Sequence, residues 1–159
     1  MVATALERLQ AALAAGNAGE AESIARAALD DDPGEFLIRA HLGSLVMARG
    51  EVEEAVEHFQ AAVEAGPEVA ELHNELGNAL ALAGEPVWAE AALRRASELE
   101  PEVAQIHNNL GNVLRQQGRL ADAIDSYRVA LELAPDYGEA FGNLGIALQE
   151  SGDIDGAIG

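Results

Sequence analysis

The sequence predicts an all-α fold, a solenoid of stacked antiparallel helix pairs, on three observations. Leu42-Gly43, Leu76-Gly77, Leu110-Gly111 and Leu144-Gly145 recur at a spacing of 34 residues. In the same register stand Gly50, Gly84, Gly118 and Gly152, then Ala55, Ala89, Ala123 and Ala157, then Pro33, Pro67, Pro101 and Pro135. Self-similarity at such a period marks an array whose units bury their apolar faces against neighbours. Composition agrees: 49% of residues are hydrophobic but only 4% aromatic, and chains rich in alanine and leucine favour closely packed helices over sheets. The stretch LHNELGNAL, Leu72 to Leu80, also returns as IHNNLGNVL, Ile106 to Leu114, keeping its asparagines with its leucines.

The units follow in order as residues 2–35, 36–69, 70–103, 104–137 and a partial 138–159. The first is degenerate, with Arg8-Leu9 in the Leu-Gly column, yet Gly16, Ala21, Ala28 and Pro33 keep their places. An end unit with one neighbour tolerates relaxed patterning. Each later unit reads as two helices. In residues 70–103 the first is expected over about Ala70 to Ala83, Gly84 ends it, and the second runs from about Val87 to Leu99 ahead of Pro101. Gly43, Gly77, Gly111 and Gly145 lie inside first helices, where glycine costs about 1 kcal/mol relative to alanine. Close approach of the second helix is the expected return, with Ala55, Ala89, Ala123 and Ala157 as its small side. The last unit stops at DIDGAIG, inside its expected second helix, so the chain reads as a segment of a longer protein.

Charge and composition narrow the function. Twenty-eight acidic residues face nine arginines and no lysine, a net charge of −19. Such a surface repels phosphate backbones and anionic lipid, so nucleic acid and membrane are not expected partners. Without cysteine there are no disulfides or thiolate sites. The opening MVATALERLQAALAAGNAGE carries Glu7 and Arg8 within its apolar run and makes a poor leader. No run is long enough to span a membrane, and a cytoplasmic location is expected.

The residues Leu76, Gly77, Leu80, Gly84, Ala89, Leu93, Ala96 and Pro101, repeated as Leu110, Gly111, Leu114, Gly118, Ala123, Tyr127, Ala130 and Pro135, closely resemble the tetratricopeptide repeat pattern. The resemblance extends over essentially the whole chain. It implies a right-handed superhelix whose first helices line a concave groove, and asparagines in the columns of Asn78, Asn112, Asn109 and Asn143 that face a ligand. Part of the family clamps a terminal carboxylate with lysines and arginines around such asparagines. Here Ala40, Ala48, Asn74 and Leu82 leave those columns uncharged, which argues against that clamp.

Asparagine is a middling helix former, but its amide donates and accepts at once, which suits an extended peptide backbone. Asn74 with Asn108, Asn109 with Asn143, and Asn78 with Asn112 form three columns of a candidate peptide-binding ladder, with Glu75 and Arg115 beside them. The same amides also serve as internal caps and ties in such repeats. Glu71, Glu75 and Glu139 favour a basic peptide. The groove changes along its length, from Leu37, His41, Ser44 and Met47 to Gln105, Asn108, Asn109, Asn112, Arg115 and Gln116.

Chemistry is not expected. His73 and His107 share a column and would stack roughly 10 Å apart, too far to share a zinc ion, so they read as partly buried packing groups. His41 and His58 lack paired ligands, and Ser44, Ser97, Ser126 and Ser151 lack a histidine and acid arrangement. No catalytic residue, metal or cofactor is assigned. Trp88 stands where other units carry Glu54, Asp122 and Gly156; it is expected to fold over the turn and cover Pro86, the other reading being a binding anchor. The expected function is a scaffold that binds an extended peptide in its groove. The alternative is self-assembly, or a structural solenoid module of a larger protein.

Overall fold

Helix starts and stops follow the repeating glycines and prolines. In a computed structural model describing residues 4–152, the described residues form α1 (Ala5–Ala14), α2 (Ala18–Asp31), α3 (Phe36–Ala48), α4 (Val52–Ala65), α5 (Ala70–Leu82), α6 (Pro86–Leu99), α7 (Ala104–Gln116), α8 (Leu120–Leu133) and α9 (Gly138–Ser151). Gly84, at φ +80°, shows how α5 ends. The left-handed turn costs glycine no Cβ clash and lets the Glu85 N–H reach the Leu80 carbonyl at 2.9 Å. The same closure returns where Arg119 N–H meets the Leu114 carbonyl at 3.0 Å. Pro86 opens α6 at a position where its missing N–H is harmless.

Packing is that of an array. Helices α1, α3, α5 and α7 each pack most closely on the helix that follows, α9 packs on α8, and each pair packs on the next. Small residues on the even-numbered helices go inward, with Ala55, Ala89 and Ala123 fully buried. At the glycine column the second helix comes close as expected, with the Ala89 carbonyl oxygen 3.3 Å from a Cβ built on Gly77, and a large side chain fills the space beside it. A Cβ on Gly43, Gly77 or Gly111 would strike the Phe59 ring, the Leu93 side chain or the Tyr127 ring, at closest distances of 3.0, 2.6 and 2.5 Å. Each glycine therefore makes room for a large residue four positions beyond the alanine. For Gly145 no atom of the described residues lies within 4 Å of a built Cβ, and Ala157 lies outside those residues.

The prolines gain a second role. His73 Nε2 lies 2.8 Å from the Pro67 carbonyl and His107 Nε2 lies 2.7 Å from that of Pro101. In the same column of the preceding unit, Arg39 Nη2 donates to Pro33 at 2.8 Å. In these three units one donor thus ties a helix to the turn before it. The histidines are partly buried, as expected, but they hold a carbonyl as well as packing.

Seven of the nine arginines lie in ion pairs, several of which join successive units, including Arg26–Glu54, Arg95–Glu68, Arg115–Glu150 and Arg119–Glu90. Exposed pairs contribute little each. Glu90 is better sheltered and is held by three residues. Burial would raise its carboxyl, but bonds from Gln117, Arg119 and Arg94 outweigh that and bring it from 4.5 to about 2. The ionised form therefore favours the fold: its contribution is complete above pH 4.5 and fades as pH falls toward 2. Glu90→Gln is expected to cost about 1–3 kcal/mol at neutral pH. In urea unfolding, the gap to the parent protein narrows through that acid window.

Candidate protein-interaction surface

The odd-numbered helices form one face of the array. At its amino-terminal part, Leu6 and Gln10 of α1, Leu37, Ala40, His41 and Ser44 of α3, and Glu71, Leu72 and Glu75 of α5 line a cleft of about 410 Å³. The polar half is carried by α7 and α9. The expected asparagine columns run over α5, α7 and α9, and their hydrogen bonds sort those asparagines into two groups.

Asn74 and Asn108 are buried, Asn108 completely. Asn109 Nδ2 donates to Asn74 Oδ1 at 2.9 Å, and Asn143 Nδ2 donates to Asn108 Oδ1 at 3.0 Å. Asn108 Nδ2 also donates to Glu139 at 3.0 Å and Tyr137 Oη at 3.4 Å. Both rungs join residues 35 apart in sequence. The geometry is that of an internal ladder, because a buried amide must find partners or lose the bonds it had with water.

The second group is half-buried. Asn112 Oδ1 accepts from Tyr127 Oη at 2.8 Å, which leaves its Nδ2 without a partner among the described residues. Asn78 makes no side-chain bond to the described residues, and Asn109 and Asn143 keep an Oδ1 in the same state. Arg115 spends its charge on Glu150 at 2.9 Å, and its Nε is buried without a partner among the described residues.

The rung stops at the amino-terminal side. A rung reaching Glu75 would start 35 residues earlier, at Ala40, which has no amide to offer. Burial, and then the neighbouring Glu71 charge, raise the Glu75 carboxyl above 4.5, opposed by a bond from Asn74 at 3.4 Å. An acid in that position gains from an incoming cation.

Two features were not legible in the asparagine columns. The Tyr127 and Tyr137 hydroxyls belong to the ladder, and the only sequence signal was that both are tyrosines in a chain with few aromatics. Trp88 stands apart from these columns. It is 65% exposed, and its indole lines an outer cleft beside Gln60, Val63, Leu76 and Leu80. No group of three histidine, cysteine, aspartate or glutamate side chains suited to a metal is present among the described residues.

A stacked helix-pair array of this kind defines a helical repeat solenoid. The chain belongs to the tetratricopeptide repeat family: models described as Tetratricopeptide repeat match residues 12–74 and 88–138. It is accordingly of the protein–protein interaction scaffold type. Among solved structures, one of MamA is 26% identical, with 94% of this chain and 88% of that chain covered and a TM-score of 0.87. YrrB, described as a TPR protein with an unusual peptide-binding site, is 23% identical, with 94% and 77% covered and a TM-score of 0.80. A structure of pilF from Pseudomonas aeruginosa is 24% identical, with 96% and 70% covered and a TM-score of 0.84; these last two show likeness of fold alone. No curated protein matches the chain. No described helix is long and apolar enough to cross a membrane.

Proposed function

We propose that the chain is an assembly module, a stiff solenoid segment that docks with copies of itself or with further solenoid units, rather than a groove built around one peptide. The observation behind this reading is the use of the amides: the rungs from Asn109 to Asn74 and from Asn143 to Asn108 occupy groups that a peptide would need. Exposed Phe141 and Ile146 on α9 offer apolar surface for docking. Two chains of charge −19 repel, and salt screens that repulsion, with a Debye length of about 10 Å at 0.1 M and about 3 Å at 1 M. Sedimentation equilibrium is therefore expected to show association that strengthens with salt and is lost in Phe141→Asp/Ile146→Asp protein of unchanged helicity. A monomer at every salt concentration removes self-assembly.

A second reading keeps the groove, on the half-buried amides. Here Asn78, Asn109, Asn112 and Asn143 meet an extended basic segment, Asn74, Asn108 and Arg115 hold the wall behind it, and Glu75 with Glu71 draws a cation. Salt has the opposite sign in this case, because screening weakens attraction between opposite charges. Titration with an arginine-rich peptide separates the readings. Binding that weakens with salt and fails in Asn78→Ala/Asn112→Ala supports the groove, and absent binding removes it.

A further inference from the structure

We propose that the outer cleft between α4 and α6 docks an amphipathic helix from a partner protein, one with a leucine-type apolar stripe and arginine or lysine beside it. This site is separate from the amide ladder and from α9. The cleft measures about 650 Å³, with Gln60, Val63 and Glu64 of α4 on one wall, His73, Leu76 and Leu80 of α5 on the floor, and Trp88, Ala91, Ala92 and Arg95 of α6 on the other wall.

The evidence begins with α6, which has two stripes. Ala89, Leu93 and Ala96 face its own core and are fully buried. Trp88, Ala91, Ala92 and Arg95 stand at offsets of three, four and seven from the first, the spacing of a helix-packing face. In the neighbouring units the first three columns are polar, with Glu54, Glu57 and His58 on α4 and Asp122, Asp125 and Ser126 on α8, while the Arg95 column holds Ala61 and Val129. Only on α6 have three polar columns become an indole and two methyl groups. The two alanines lower that wall, and the half-buried Leu76 and Leu80 form an apolar floor. A partner helix laid along such a groove reads as anchors at the same helical spacing.

Charge selects the occupant. Arg95 is bridged by Glu68 at 3.0 Å and Glu98 at 3.2 Å, and the His73 Nε2 already meets the Pro67 carbonyl. Glu64 and Glu85 line the same cleft without an ion pair among the described residues. The rim is therefore acidic in effect. A second copy of the chain would bring net charge −19, with seven of its nine arginines already paired, against an acid rim. A cationic helix is complementary where the copy is repelled.

Trp88 is the chain's single tryptophan, so its emission reports the cleft directly. The probe is a blocked synthetic helical peptide with leucines at the i, i+3, i+4 and i+7 positions flanked by arginines; its control carries glutamates instead. The basic peptide is expected to shift Trp88 emission to the blue, with affinity that falls as salt rises. Ala91→Glu/Ala92→His copies the residues that α4 carries in the same columns, so the fold has a precedent for it, and circular dichroism checks helicity. It is expected to weaken binding about tenfold or more. Glu64→Gln/Glu85→Gln is expected to flatten the salt dependence without filling the cleft. Overturning results are no shift with the basic peptide, an equal shift with the acidic one, or unchanged binding in Ala91→Glu/Ala92→His. A blue shift that grows with protein concentration alone and disappears in that variant assigns the cleft to a second copy and also overturns the proposal.

Discussion

Gly111→Val is expected to destabilise the protein by about 3 kcal/mol or more, the typical upper cost of overpacking a filled core. A Cβ at this position meets three Tyr127 ring atoms at 2.5, 2.7 and 2.9 Å. The ring has no easy retreat, because Tyr127 is fully buried and its hydroxyl is held by Asn112 at 2.8 Å. Moving it breaks that bond and spoils the contact between α7 and α8. The column as a whole is graded. Gly43 meets the Phe59 ring at 3.0 to 3.2 Å, where a shift of a few tenths of an ångström suffices, so Gly43→Ala is expected to cost less than Gly111→Ala. Gly142 is exposed within α9, and no atom of the described residues lies within 4 Å of a built Cβ. Gly142→Ala is expected to stabilise by about 0.5–1 kcal/mol through helix propensity alone. Urea unfolding followed by circular dichroism ranks the variants. Equal losses at Gly43 and Gly111 contradict the steric account.

Asn108→Ala is expected to cost about 2 kcal/mol and to loosen α9 in particular. It removes the acceptor for Asn143 and the donor to Glu139 and Tyr137, in a side chain with no solvent exposure. Water cannot replace those bonds without entering the contact between α7 and α9. Asn78→Ala is expected to change stability by less than about 0.5 kcal/mol, since no side-chain bond to the described residues is lost and half-exposed surface sites are tolerant. Hydrogen exchange supplies the second readout: faster exchange across α9 in Asn108→Ala, and an unchanged pattern in Asn78→Ala. If both variants lose equal stability, the division between internal rungs and free amides fails.

The asparagine columns illustrate how far sequence reasoning reached. Period and residue type placed Asn74, Asn78, Asn108, Asn109, Asn112 and Asn143 on one face of the first helices. They did not separate the buried rungs from the half-buried amides, because that distinction depends on which side chain of the next unit lies within 3 Å. The tyrosine partners were hidden for the same reason, since Tyr127 lies 15 residues from Asn112 and Tyr137 lies 29 from Asn108. Trp88 was visible as an odd residue in a polar column, and its direction depended on the small Ala91 and Ala92 beside a wall built by another unit.

By itself the sequence determined the helices, their pairing and the stacking of pairs, because periodic apolar residues, left-handed glycines and turn prolines act over one or two helical turns. It also determined the acidic surface, which is a sum over residues and needs no geometry. Only the tertiary structure decided that Phe59, Leu93 and Tyr127 fill the space over the glycines, that Asn74 and Asn108 serve the fold from within, and that α6 leaves an apolar cleft on its outer side. Each of these is a contact across units or between helices, where an ångström of separation changes a hydrogen bond into a void or a void into a clash.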